Sequence, residues 1–386
     1  MVSHKKLIVF VQGFGSQDLF TNVPPTNLWG WRRNVGLLIH LLNQRGIQWK
    51  ERFTSDLSEV KDKADLFILR DWRYRPEDVY QFCQDHDGTP VISMLFQCPN
   101  AFLQSQRCGD DHAVRGFQTH QPFLPKSNTE DGLFTTDRVI VRSHLNAELF
   151  TSLGYPPSKM VLLPHAPIWD IHHNKIVPLN IPPLEKGTKN SQFFNVLFIG
   201  ESLWRKGLIH LYQAFQALPM QPKRLHVYSN QLLRYVRGFC DLPNGYEKIY
   251  QQLLMNEDVI IHDSYWSIAG LFEAYLRAPI LVCPTLLDCG PNTLMEAYQI
   301  GARVIQSDLS GIMGELPDSW SEIVRAPRYW ERFESLGAFA ERLMARMIKA
   351  DVMETALNPP PVEKINQILE VIISTWENLF QSYSIM

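Results

Sequence analysis

The chain reads as an α/β protein of two doubly wound domains, and three observations carry that reading. Its 386 residues exceed what one hydrophobic core usually supports. Short apolar runs alternate with helical patterns twice along the chain, the arrangement that makes parallel sheets with helices on both faces. Between the two series lies a Pro-, Asn-, Lys- and Gly-rich stretch, Ile168 to Gln192, with no apolar period, the composition of an interdomain linker.

The first series opens with KLIVFVQ (6–12) as a buried strand, followed by the helix RRNVGLLIHLLNQRG (32–46) and the strand ADLFILR (64–70). The helix PEDVYQFCQDH (76–86) and the strand TPVISMLF (89–96) come next. A long polar stretch from Gln97 to Asp137 reads as an ordered loop region. RVIVRS, the helix HLNAELFTSLG and the strand MVLLP then close the domain near residue 164. The second series begins at FFNVLFIG (193–200), with the helix GLIHLYQAFQAL and the strand RLHVYS. It continues through DVIIHD, IAGLFEAYLRA, PILVCP, a helix after Asn292, and ARVIQS (302–307). After the NPPP punctuation, residues 362–383 read as one long terminal helix. The expected division is residues 1–175, a linker 176–192, a second domain 193–360 and the terminal helix 361–386. Two such domains facing each other leave a cleft at the carboxyl ends of their strands, where open α/β sheets bind ligands.

Composition excludes several classes. With 45% hydrophobic and 20% charged residues and a formal charge of -3, nothing would draw the whole protein onto nucleic acid. Six cysteines are scattered without metal spacing, as in reduced cytosolic proteins. The apolar N-terminal run lacks a small-residue cleavage site, and no run approaches the roughly 20 apolar residues that cross a bilayer. The chain is expected in the cytoplasm, with a peripheral membrane contact left open.

Chemistry concentrates in the second half. In PILVCPTLLDCGPNTLMEAYQIGARV (279–304) a strand, a loop with Gly290 and Pro291, and a helix ending before Gly301 follow one another. Pro291 suits the first helical position and Gly301 the residue past the end. The amides of Asn292, Thr293 and Leu294 then have no helical carbonyl partners, so a phosphate can bind there. Asp288 and Glu296, on either side, can accept hydrogen bonds from sugar hydroxyls. Spacing alone equally allows Glu296 as a helix-start acid and Asp288 as a turn residue. In VLFIGESLWRKGLIHLYQAF (196–215), Arg205 and Lys206 stand between a strand ending in Gly200 and a helix, and can clamp a diphosphate or form a solvated basic turn. VQGFGSQD near the start lacks the third glycine of a dinucleotide loop. RDWRYRP (70–76) puts Trp72 and Tyr74 beside Arg70, suited to a sugar ring or to an exposed structural loop. The histidines show no metal spacing.

Taken together, these residues resemble the GT-B-fold retaining glycosyltransferases of the family 4 (group 1) type. Gly200 through Lys206-Gly207 resembles that family's donor loop, and DCGPNTLMEA its acid, seven residues and a glutamate, with Asp288 in place of the usual Glu. GARVIQSD, SGIMGE and STWENLFQSY match further segments, and NVPPTNLWGWRRNVGLLIHLLNQRG looks like its glycine loop and first helix. The resemblance implies a fold of two Rossmann-like domains facing a central cleft, with the terminal helix crossing back to the first. It implies transfer of a sugar from a nucleotide-diphosphate sugar to a glycan, lipid or small-molecule acceptor, with retention of configuration, no metal and no cofactor. Glu296 would hold ribose hydroxyls and Asp288 those of the transferred sugar. Lys206 with Arg205 would neutralise the diphosphate. Gly200, Gly290 and the amides of Asn292, Thr293 and Leu294 would line the donor, and Gly30 would let the first domain approach it. Trp72, Arg70 and His165 are the acceptor-side candidates. Three departures stand out: Glu201 replaces the family's arginine, Phe96-Gln97-Cys98 stands where a histidine is usual, and Ala166-Pro167 replaces a glycine after His165. Glu201 and the absent histidine keep open a non-catalytic GT-B-like subunit that binds a glycan or a partner protein.

Overall fold

The chain is described by a computed structural model. It describes residues 6–12, 31–54, 56–70, 76–94, 136–152, 155–173, 175–179, 192–201, 203, 205–238, 247–262, 268–286, 288, 290–312, 316–317, 320–326, 336–352 and 359–386. Among these the chain forms two compact units, one of residues up to Pro178 with Asn366–Met386, the other from Leu179 to Ile365.

In the first unit six strands, β1 (Leu7–Gln12), β2 (Gln48–Phe53), β3 (Leu66–Arg70), β4 (Val91–Met94), β5 (Arg138–Val141) and β6 (Met160–Leu162), lie side by side in the order β2-β1-β3-β4-β5-β6. Every pairing is parallel. The inner strands are apolar on both faces because helices cover both. Ile8 and Phe10 meet α1 (Trp31–Gln44) on one side, while Val9 and Val11 meet α2 (Pro76–Asp85) on the other. α3 (His144–Ser152) follows β5.

β2 has no apolar run in the sequence because it is an edge strand with exposed residues. Its Arg52 bonds Asp62 at 2.7 Å and its Lys50 bonds the same carboxylate. The stretch from Ile168, read as linker, contains an antiparallel hairpin, β7 (Trp169–His172) and β8 (Lys175–Pro178), with Trp169 buried in the core. The expected linker start at residue 176 therefore falls inside a strand. The Gln97–Asp137 loop lies almost wholly outside the described residues.

The second unit carries β9 (Phe194–Ile199), β10 (Lys223–Tyr228), β11 (Val259–His262), β12 (Ile280–Cys283), β13 (Arg303–Ser307) and β14 (Ser321–Val324). Their order, β11-β10-β9-β12-β13-β14, is all parallel and reverses direction between β9 and β12. That reversal is the topological switch point at which open sheets bind ligands. α4 (Leu208–Ala217) follows β9. α5 (Asn230–Val236) and α6 (Glu247–Leu254) lie between β10 and β11, α7 (Ile268–Arg277) precedes β12, and α8 (Asn292–Ile300) precedes β13. α9 (Leu336–Val352) packs on α4, with Phe339 edge-on to His210 at 5.2 Å.

The terminal helix α10 (Val362–Ser382) sets Leu369, Ile372, Trp376 and Phe380 at helical spacing. All four join the core of the first unit that Ile8, Leu38 and Leu42 also line, and Trp376 stacks on Phe380 at 5.7 Å.

Candidate functional site

The second unit brings together the residues that the sequence singles out there. Arg205 and Lys206 sit in the connection after β9, and Asp288 in the connection after β12, the two strands that flank the switch point. Asp288 Oδ2 accepts from Arg205 Nη1 at 3.0 Å and from Lys206 Nζ, while its Oδ1 accepts the Gly290 N–H at 3.2 Å. Burial pushes the Asp288 carboxyl up, but the Lys206 and Arg205 charges more than offset this and hold it well below the usual carboxylate range.

Backbone contacts hold these two connections in register. The Arg205 carbonyl accepts the Leu286 N–H at 2.8 Å and the Thr285 hydroxyl at 3.1 Å. Gly207, at φ 77°, packs so closely on the Pro284 carbonyl that a Cβ would lie 2.0 Å from its oxygen. A Cβ on Gly200 would stand 3.2 Å from Lys206 Cγ, so the lysine stem lies over that glycine. Asp288 is pinned from the other side as well: its N–H donates to the Leu309 carbonyl at 3.1 Å and its carbonyl accepts the Gly311 N–H at 2.9 Å. Motif spacing did not reveal this second support, although Ser310-Gly311 just past β13 is a turn signal.

α8 differs from the expectation by one position. Pro291 is the N-cap, with φ -68° and ψ 121°, so Asn292 is the first helical residue, and no side chain caps the start. The Leu294 N–H bonds the Pro291 carbonyl at 3.0 Å, which corrects the expectation that this amide lacks a carbonyl partner. Gly301 closes the helix in the left-handed region at φ 81°, as its position suggests. Glu296 lies on this helix and is 2% exposed. Burial raises the Cys283 thiol to about 11, so at neutral pH it stays protonated and packs in the core.

Glu201 has an occupation that sequence alone did not suggest. Its carboxylate accepts the N–H groups of Asn230 at 2.6 Å and Gln231 at 2.7 Å, at the start of α5. The negative charge is thus taken up by a helix N-terminus.

In the first unit His165 is buried, and Asn34 of α1 bonds the Pro164 carbonyl and the Ala166 N–H, each at 2.9 Å, on either side of it. Gly30, Trp72 and the Arg70 side chain lie outside the described residues. Among the described residues no helix is long and apolar enough to cross a membrane, and no group of three metal-ligating side chains occurs.

No protein-family profile matches the chain, and no curated protein sequence does. Solved structures match it over nearly its whole length. The Anabaena protein HepE, crystallised with UDP and glucose, aligns with a TM-score of 0.57 and 12% identity over 99% of this chain and 100% of its own. Sucrose-phosphate synthase from Thermosynechococcus elongatus gives 0.59 and 13% over 98% of each chain. WaaG, a glycosyltransferase involved in lipopolysaccharide biosynthesis, gives 0.54 and 14% over 96% of this chain and 98% of its own. At these identities the likeness is one of fold, and the fold is GT-B.

Proposed function

We propose that the chain is a retaining glycosyltransferase of the family 4 type that takes its sugar from a nucleotide-diphosphate sugar. The observation that carries this reading is the convergence of Arg205, Lys206 and the uncapped start of α8 on the switch point of the second sheet. Two cations and a helix start make a site for a diphosphate. In this reading the amides of Asn292 and Thr293 hold the distal phosphate. Glu296 accepts from the ribose hydroxyls, and Asp288 takes a hydroxyl of the transferred sugar.

The chemistry asked of the protein is positioning and charge stabilisation as the nucleotide diphosphate departs. Lys206 and Arg205 neutralise the developing charge, the work a divalent ion does in other transferases. The leaving phosphate accepts the acceptor's proton on the same face, so the configuration is retained without a protein base. HepE, whose structure holds UDP and glucose, supports the donor class by its likeness of fold. Glu201 weighed for a non-catalytic subunit on sequence grounds, but its carboxylate is engaged at the start of α5.

The test is thermal stabilisation by UDP, GDP and ADP. One of them should raise the melting temperature by several degrees at millimolar concentration, through mass action on the folded state. Lys206→Ala and Glu296→Ala should each lose that shift while keeping a cooperative transition. If no nucleotide shifts the intact protein, the reading is wrong.

A further inference from the structure

Asp288 does more in this structure than wait for a sugar hydroxyl. An ionised carboxylate offers about four acceptor positions. Oδ2 takes the Lys206 ammonium and the Arg205 guanidinium, and Oδ1 takes the Gly290 N–H. Among the described residues three positions are in use, which leaves one for a ligand.

The carboxylate is also the fixed partner of the three. Hydrogen bonds to Leu309 and Gly311 hold its backbone on both sides, and its stem is a single methylene. Arg205 and Lys206 have long stems and can re-aim their charged ends without moving the chain. A diphosphate that approaches them must draw them from Asp288. The Asp288 carboxyl, held well below the usual range, keeps its charge at neutral pH, so protonation does not relieve the competition.

We infer that Asp288 is the resident counter-anion of Arg205 and Lys206, competing with an incoming diphosphate for both cations and so setting how tightly the site holds one. The inference rests on the reading of this site as a nucleotide-sugar site. It adds that the acid before the turn weakens diphosphate binding and favours departure of the spent nucleotide, because the cations have a charged partner to return to. One remaining acceptor position lets Asp288 repay part of that penalty to a ligand that carries a sugar. Asp288 therefore discriminates nucleotide sugar from bare nucleotide diphosphate.

The experiment is calorimetric titration of the full chain with inorganic pyrophosphate, UDP, GDP and the matching nucleotide sugars. The proteins compared are the natural chain, Asp288→Asn and Asp288→Glu. Asp288→Asn should bind pyrophosphate and the nucleotide diphosphate at least tenfold more tightly, a change of about 1.4 kcal/mol. It should gain less for the nucleotide sugar, and Asp288→Glu should return both values towards the natural ones. Removing one buried charge can unfold the loop, so the comparison is repeated in a charge-balanced pair. There Arg205→Ala/Asp288→Ala should bind pyrophosphate more tightly than Arg205→Ala alone. If the natural chain binds a nucleotide and neither comparison shows tighter binding, the counter-anion role is refuted and the donor-site reading stands. If no protein in the series binds any of these ligands, both fall.

Discussion

Gly207→Ala probes how the cation pair is held. At φ 77° an alanine is strained by about 1–3 kcal/mol. Its Cβ would also lie 2.0 Å from the Pro284 oxygen, a backbone atom that cannot rotate aside. The two connections must part by more than an ångström. That movement removes the Leu286 and Thr285 bonds to the Arg205 carbonyl, each about 1 kcal/mol. The sum is about 3–5 kcal/mol, and at about 2–4 °C per kcal/mol for a unit of this size the melting temperature should fall by about 6–20 °C. Gly238→Ala is the control, because Gly238 has the same backbone sign, φ 74°, with open space around its missing Cβ. It should cost only the backbone term. Scanning calorimetry compares the two, and nucleotide stabilisation should vanish only in Gly207→Ala. Equal losses of stability in the two variants would refute the close packing of Gly207 on Pro284 as the support of the site.

Three other outcomes follow from the packing and charges. Trp376→Ala removes a fully buried ring from the core of the first unit and should cost about 3–5 kcal/mol in urea denaturation. Glu201→Ala should lose about 1 kcal/mol, because the Asn230 and Gln231 N–H groups lose their acceptor while Ser229 still caps α5, and nucleotide affinity should stay within about twofold; a tenfold gain would place Glu201 in the path of the phosphate. Burial pushes the His210 imidazole down to about 4, so the folded chain resists a proton that the unfolded chain accepts near 6.5. Stability is therefore complete above pH 6.5 and falls by up to about 3 kcal/mol as the pH drops to 4. Urea midpoints across that window should show the slope, and His210→Phe should reduce it but not abolish it, because burial also pushes down the imidazoles of His226 and His262.

Much of this fold was legible because each strand of the two sheet cores is a short apolar run bounded by Gly, Pro or charge. VLFIG and LVCP are read on sight, and Gly301 announces the end of α8. What escaped has physical reasons. β2 is an edge strand whose Lys50 and Arg52 face Asp62, so it carries no apolar run. The hairpin Trp169–Pro178 is built from mixed residues in a stretch whose composition suits a linker. α9 was not read from the sequence, although Phe339, Leu343, Met347 and Ala350 stand at helical spacing. In the site, the motif placed Asp288, Arg205 and Lys206 near one another but not in contact. Their direct pairing depends on β9 and β12 being neighbours, which no local spacing encodes. The occupation of Glu201 likewise depends on α5, a helix that local pattern did not announce.

The most direct test of donor turnover is proton NMR of the full chain incubated with UDP-, GDP- and ADP-sugars, following released nucleotide and the first anomer of any freed sugar. The account predicts that one nucleotide family is hydrolysed slowly in the absence of acceptor, that the freed sugar first appears with the anomeric configuration of the donor, and that Lys206→Ala abolishes the release. Release of the opposite anomer would contradict retention. Binding without any release would make the chain a non-catalytic member of this fold, and neither binding nor release would remove the nucleotide sugar from the account.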